Sequence, residues 1–502
     1  MNIVNPKDVE ISTLGELKKN GWKSVPIKLE MRNNLIRKLN KGEELFPGIV
    51  GYDKTVIPQL QHALLSRHDM ILLGLRGQAK SRILRLLVNF LDEYMPVITG
   101  SEINDDPYHP LSKYARTLIE EKGDEAPVSW IHRSDRYAEK LATPDTSVAD
   151  IIGDIDPIKA ATRRLTLSDE DVINFGLIPR TNRGIFAINE LPDLQPRIQV
   201  SLLNIMQERD IQIRGFNVRI PLDVLMVFSA NPEDYTNRGN IITPLKDRID
   251  SQIITHYPKS IDAGMEITRQ EAWVKREGGL EVAIPHFVRE IVEQTAVEAR
   301  ASEYIDQKSG VSARMTITAM EHIISAAERR AVINREKKTI IRVSDIYYSI
   351  PALTGKLELV YEGEQEGAIN VAKHLLGASV NKVFKQYFPD PQKKNNTSKS
   401  KSPYEGVTGW FAKGYKIDLP DHLSAKEYGK RLMAVDDLKK VVKTFAKPQS
   451  NEELYSMMDF VLEALHQNSI LGKDDLDDQR SFTDLVGSML GSLGDYDDHF
   501  DE

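Results

Sequence analysis

The 502-residue chain contains no cysteine, which excludes disulfide staples and every cysteine-ligated zinc or iron–sulfur centre. Its eleven histidines are scattered, and none forms the His-Glu-x-x-His pair of a helix-borne metal site. No uninterrupted apolar run approaches the roughly 20 residues needed to span a bilayer. The N-terminus, Met1-Asn2-Ile3-Val4-Asn5-Pro6-Lys7, lacks the charged-then-apolar layout of a signal peptide, so the expected location is cytoplasmic. A general surplus of positive charge is also missing. The net charge is −8, and residues 471–502 hold ten acidic and two basic side chains, so the rest of the chain is balanced. A whole-chain basic footprint for nucleic acid is therefore absent.

What is present is a composition ordinary for a globular protein, 41% apolar and 28% charged, in a chain long enough for two to four domains. The most informative segment is Gly74-Leu75-Arg76-Gly77-Gln78-Ala79-Lys80-Ser81, directly after the apolar run Met70-Ile71-Leu72-Leu73. This reads as strand, tight loop and helix, because apolar residues recur at helical spacing through Ile83, Leu86, Leu87, Phe90 and Leu91. Free N–H groups at the helix start favour an anion. Lys80 supplies a point charge, and the Ser81 hydroxyl suits Mg²⁺. The expected ligand is ATP or another nucleoside triphosphate with Mg²⁺. Ala79 stands where such loops carry glycine. An alanine at positive φ costs about 1–2 kcal/mol, so either the loop keeps φ negative there or the site is weakened.

Carboxylates for this site would come from a second strand. Ile185-Phe186-Ala187-Ile188 runs into Asn189-Glu190, so Glu190 is the candidate base for the attacking water. Asn189 occupies the position that would hold magnesium; its amide oxygen can hold a hydration water but brings no negative charge. Val224–Ala230 delivers Asn231 at a strand end, where an amide can orient the same water. Arg248, in Leu245-Lys246-Asp247-Arg248, is placed to act on a neighbouring subunit's nucleotide. Arg314, in Gly310-Val311-Ser312-Ala313-Arg314, stands at a helix start and can reach phosphates from a lid. Taken singly, Glu190 also suits a helix cap and Arg248 a surface ion pair.

Residues 1–44 read as a helical leader, 45–257 as an α/β nucleotide-binding core, and 258–388 as a helical lid. A polar, Pro/Ser/Lys-rich linker follows over 389–402, then a small, mainly helical module over 403–470 and an acidic tail over 471–502. The core strands are expected at Asp69–Leu73, Val128–His132, Gly184–Asn189, Val224–Ala230 and Gln252–Tyr257, in a buried parallel sheet. Alternation on both sides of Gly215 predicts a hairpin over Asp210–Ile220. Trp410 and Phe411 read as core of the small module.

Over about residues 45–355 this ordered set resembles the AAA+ ATPases of the MoxR and magnesium-chelatase clade. Phe46-Pro47-Gly48-Ile49-Val50-Gly51 is similar to the segment that contacts adenine, which brings Val50 and Gly51 beside Gly74, Gly77, Gln78, Ala79, Lys80, Ser81 and Arg82 as nucleotide-binding residues. Gly100–Pro107 is similar to a chelatase-subunit stretch without its cysteines. The segments 151–156 and 176–184 resemble the insertion in helix 2, and the 210–220 hairpin the insertion before the first sensor. Ala79 is a form found in MoxR-type loops.

The resemblance implies an α/β AAA+ P-loop core with a parallel sheet, the two insertions and an all-α lid, to which this chain adds the small, mainly helical C-terminal module. It implies Ser81 and Asn189 on the metal side, Asn231 as first sensor, Arg248 as arginine finger and Arg314 as second sensor. It further implies ATP hydrolysis in a ring of identical subunits, usually six, acting on a protein client. Relatives often work with proteins bearing a von Willebrand factor A domain. A magnesium-chelatase subunit driving metal insertion into a porphyrin is the alternative, weakened by the missing cysteines and the added segments. A nucleotide-controlled scaffold that does not hydrolyse is another, motivated by Asn189. An enhancer-binding transcriptional activator is disfavoured, because the Gly-Ala-Phe-Thr-Gly-Ala loop is missing.

Overall fold

The computed structural model describes residues 10–163, 170–208, 210–211, 220–232, 240–393, 402–476 and 479–485. The chain divides into two compact units at Tyr257/Pro258.

The first unit is built on a parallel sheet of five strands among the described residues. Its strands are β1 (Met70–Leu73), β4 (Tyr137–Leu141), β7 (Gly184–Asn189), β10 (Val224–Ala230) and β11 (Ser251–Ile254), in the order β11-β1-β10-β7-β4. Side chains alternate between faces along each strand, and both faces are apolar. Met70, Leu72, Ile185, Ala187, Leu225 and Val227 pack with three helices: α2 (Ile27–Lys41), α3 (Val56–Ser66) and α4 (Lys80–Leu86). Ile71, Phe186, Ile188, Met226 and Phe228 pack on the opposite side with Ile198, Leu202 and Leu245. Near-continuous apolar strands are what a sheet covered on both faces requires.

Four of the expected strands belong to this sheet, and one does not. Val128–His132 is a strand (β3), but it pairs antiparallel with β2 (Tyr94–Ile98) in a separate ribbon. The fifth place is taken by β4, which pairs parallel with β7. Tyr137-Ala-Glu-Lys-Leu lies at the sheet edge and is only half-buried, so it carries little of the apolar signal that marks the central strands. Two short antiparallel pairs project from the unit: β5 (Gly153–Ile155) with β6 (Ile173–Phe175), and β8 (Asp210–Ile211) with β9 (Ile220–Pro221). The second is the base of the expected hairpin; its tip, 212–219, lies outside the described residues.

The expected leader is part of this unit. Ile27, Met31 and Leu35 of α2 are buried against the sheet. Glu30 accepts two hydrogen bonds from Arg136, at 2.8 and 2.6 Å.

The second unit packs helices His286–Ala301, Arg314–Ile333, Ala368–Tyr387 and Asn451–Gln467 around one apolar core. That core runs from Ala272 to Phe482 and includes Phe411, so the segments expected as lid and C-terminal module share it. The lid is not wholly helical: Glu281–Ala283 (β12) pairs with Lys338–Ile340 (β13). The acidic tail expected from residue 471 differs as well. Leu471–Leu476 (β15) and Gln479–Asp484 (β16) are antiparallel strands that continue onto Ile417–Pro420 (β14). The reason is specific. The two basic residues of that acidic stretch, Lys473 and Arg480, pair with the fully buried Glu463 and Asp459 of the helix Asn451–Gln467. Residues 394–401 of the expected linker and 486–502 of the tail lie outside the described residues.

Among the described residues no helix is long and apolar enough to cross a membrane.

Candidate functional site

All five strands of the sheet run parallel, so their C-terminal ends share one edge. Gly74 follows β1, Asn189 ends β7, and Asn231 follows β10. That edge is where open α/β sheets bind ligands.

The loop after β1 turns back into α4 through two left-handed residues, Gly77 at φ 76° and Ala79 at φ 58°. The loop therefore does not keep φ negative at Ala79, which adopts the conformation that glycine would adopt freely. Gly74 is required for another reason. A Cβ there would collide with Thr255 Oγ1 and Gln78 Oε1, and these two side chains are themselves hydrogen-bonded at 2.6 Å. The Tyr52 hydroxyl lies 3.1 Å from the Gln78 carbonyl and 2.7 Å from the His256 carbonyl. It thereby fixes the segment holding Val50 and Gly51 against the loop. Burial pushes the Tyr52 phenol up to about 12, so it stays protonated.

The buried Lys80 ammonium donates to the Gly74 carbonyl, to Leu75 O at 3.0 Å and to Asn231 Oδ1 at 2.6 Å. Ser81 Oγ donates to Asn189 Oδ1 at 3.4 Å, and Ser229 Oγ donates to the same oxygen at 2.8 Å. The Asn189 amide nitrogen donates to Glu139 Oε1. Glu139 also accepts from Arg85, at 2.7 and 3.0 Å, and from the Tyr137 hydroxyl at 3.1 Å. The Arg85 hydrogen bond is the chief cause holding the Glu139 carboxyl below its usual range.

Glu190 follows Asn189 in a left-handed conformation, φ 54°. It stands at the cap position of the 3₁₀ turn Leu191–Asp193 but makes no side-chain capping bond, so the capping role open to it from sequence is not the one it plays. The turn in the backbone re-aims the chain directly after the strand, at a cost of about 1–2 kcal/mol. Arg82 is exposed on α4.

The structure thus brings Gly74, Gly77, Gln78, Ala79, Lys80, Ser81, Asn189, Glu190 and Asn231 to one edge. Arg248 is elsewhere. It precedes β11, at the opposite end of the sheet, where its guanidinium donates to Gln207 Oε1 at 3.0 and 2.8 Å and to Pro244 O at 2.8 Å. Even β1, at four residues, separates the two ends by about 13 Å, so Arg248 does not reach its own chain's loop. Arg314 belongs to the second unit. It is exposed at the first position of the helix Arg314–Ile333, where a cation opposes the helix dipole.

The donor set suits a magnesium nucleotide. A hydroxyl (Ser81) and an amide oxygen (Asn189) are hard oxygen ligands of the kind Mg²⁺ takes alongside phosphate oxygens and water. Among the described residues there is no group of three or more His, Cys, Asp or Glu that would hold a metal ion by itself. Sequence reasoning missed Glu139, Arg85, Tyr52, Thr255 and Ser229. None lies in a recognisable motif, and they reach the site only through strand register and helix packing.

A family model described as the sigma-54 interaction domain matches residues 168–254. The magnesium-chelatase 38 kDa subunit of Cereibacter sphaeroides is 25% identical over 213 residues, 41% of this chain and 56% of that protein. The archaeal Lon protease of Thermococcus kodakarensis is 30% identical over 141 residues, 25% of this chain and 21% of that protein. The chain therefore spans about half the length of the first curated relative, and less of the second. Among solved structures, NtrX from Brucella abortus aligns at 13% identity and TM-score 0.35, covering 62% of this chain and 58% of that one. The α/β unit has the architecture of an AAA+-like core, and its sequence is similar in part to the sigma-54 interaction domain and distantly to the magnesium-chelatase 38 kDa subunit and an archaeal Lon protease.

Proposed function

We propose that the chain is an ATP hydrolase that works as a ring of identical subunits, six by resemblance, to remodel or activate a protein partner. One observation carries the reading: Lys80, Ser81, Asn189 and Asn231 converge by hydrogen bonds on the sheet edge that receives the phosphate loop, with Glu190 next in the chain.

In this reading Lys80 and the loop N–H groups bind the phosphates, and Ser81 and Asn189 hold Mg²⁺, which neutralises charge on the phosphate oxygens. Glu190 accepts the proton of the attacking water, and Asn231 orients that water. Arg248 acts in trans. Its place at the far end of the sheet supports this, since it would meet the nucleotide of a neighbour rather than its own. Arg314 keeps the second-sensor role that the resemblance implies.

A protein client, with a von Willebrand factor A domain as one class, is favoured over nucleic acid by the balanced charge of residues 1–470. The match to the sigma-54 model favours a second kind of protein target, a sigma-54 transcription complex. Against it, residues 168–254 contain no Gly-Ala-Phe-Thr-Gly-Ala sequence.

The test is ATP turnover by the wild-type chain and by Glu190→Gln, with mass measured alongside. Turnover by wild type, and an ATP-bound ring that stalls in Glu190→Gln by about 10²–10⁴-fold, supports the motor. ATP binding without turnover in wild type makes the chain a scaffold instead. Activity only in a metal-insertion assay with porphyrin and companion subunits would move the reading to a chelatase.

A further inference from the structure

Four side chains close a loop beneath the phosphate site. Ser81 and Arg85 lie one turn apart on α4, and so share a face of that helix. Ser81 meets Asn189 at 3.4 Å, Asn189 meets Glu139, and Glu139 meets Arg85 at 2.7 Å. The sheet register explains the third contact. Glu139 on β4 is paired with Ala187 on β7, so Glu139 and Asn189 stand on the same face, two residues out of step.

The chemistry of this contact has one direction only. An ionised carboxylate has no proton to give, so the Asn189 NH₂ must point at Glu139 and its oxygen at Ser81 and Ser229. Those hydroxyls could accept as easily as donate; the carboxylate is what decides the orientation. Aspartate at 189 would instead set two carboxylates against each other, and like charges at hydrogen-bond distance exclude joint ionisation.

We propose that Glu139 is a positioning residue for the metal side of the nucleotide site. It holds the Asn189 amide with its oxygen toward Ser81, and it supplies from the neighbouring strand the negative charge that residue 189 lacks. Asn189 is then the matched partner of Glu139, not a decayed aspartate. This rests on the nucleotide-site reading given above.

The experiment uses the full chain and two readouts: affinity for a fluorescent ATP analogue with Mg²⁺ and with EDTA, and thermal midpoint at one fixed pH. Glu139→Gln is expected to cut the gain in affinity that Mg²⁺ gives by about tenfold, leaving the EDTA value nearly unchanged. Arg85→Ala removes the tie to α4 without touching Asn189. It should lower the midpoint and leave most of the Mg²⁺ gain. Asn189→Asp alone should lower the midpoint by several degrees and fail to raise the gain. The double variant Glu139→Gln/Asn189→Asp should recover both. The proposal is overturned if Asn189→Asp, with Glu139 in place, is as stable as wild type and binds Mg²⁺-nucleotide more tightly. It is equally overturned if the double variant is no better than the singles. A wild-type chain that binds nucleotide equally with and without Mg²⁺ removes this inference and leaves the nucleotide site standing. A wild-type chain that binds no nucleotide removes the proposed function; the midpoints of the single and double variants then still decide whether 139 and 189 are matched in charge.

Discussion

Glu30 and Arg136 meet as a two-pronged ion pair sealed from solvent, the arginine side chain 1% exposed and the glutamate 8%. The same guanidinium also donates to the Arg183 carbonyl at 2.9 and 2.8 Å, which makes four hydrogen bonds with the two to Glu30. Glu30 sits on a helix that precedes the Gly74–Ser81 loop by some 40 residues in sequence. Removing one member of such a pair leaves the other charge buried and alone, which costs about 3–5 kcal/mol. Glu30→Ala should lower the stability of the first unit by that amount, read from urea denaturation. Deleting residues 1–41 should unfold the unit rather than trim it.

Ala79 holds φ at 58° where glycine would be unstrained. Ala79→Gly relieves about 1–2 kcal/mol of strain, offset by about 0.5–1 kcal/mol of extra chain entropy lost on folding. The expected net gain is up to about 1.5 kcal/mol by these terms, visible as a higher denaturation midpoint. Ala79→Val should move the midpoint the other way, because a β-branched residue at positive φ is a genuine outlier.

Burial by itself would raise the Glu463 carboxyl, but Lys473 and Arg480 overcome this and hold it at about 2, against an ordinary 4.5. A carboxylate depressed by folding adds stability that is complete above its unfolded pKa and is lost as pH falls through the folded one. The second unit should therefore lose stability between about pH 4.5 and pH 2, followed by acid titration of its circular dichroism. Lys473→Met withdraws one of the two cations and should bring that acid transition on at a higher pH.

Arg248 is the residue whose failure should be shared between subunits. Arg248→Ala is expected to bind ATP as wild type does and to lose about 10³-fold or more in turnover. Mixing it with Glu190→Gln should restore part of the activity, since some interfaces then join an intact Glu190 to a neighbour's intact Arg248. Mixtures that stay as slow as either parent would place Arg248 outside the reaction.

The strand, loop and helix around Gly74–Ser81 were legible in the sequence because they are contiguous and each carries its own periodicity. Asn189, Glu190 and Asn231 were legible for a related reason: each terminates an apolar run, and parallel strands bring such ends together. Val128–His132 misled because a strand's apolar content does not say which sheet it joins. Tyr137–Leu141 went unseen because an edge strand is wet on one side, and Glu139 went unseen with it. Composition hid Lys473 and Arg480, for two cations among ten acids look like noise until a helix is found presenting two carboxylates to them. The φ of Ala79 could not be read from residue type, since alanine only argues against the value it takes.

The pairing of Lys473 and Arg480 with the helix Asn451–Gln467 also bears on the order in which the second unit can form. Asp459 and Glu463 lie on the buried side of that helix, and dehydrating them without their cations is prohibitive. The helix therefore cannot enter the apolar core first with those carboxylates ionised and wait for the strands. Docking of the hairpin and burial of the helix belong to one kinetic event, so a partly assembled second unit would keep that helix in water.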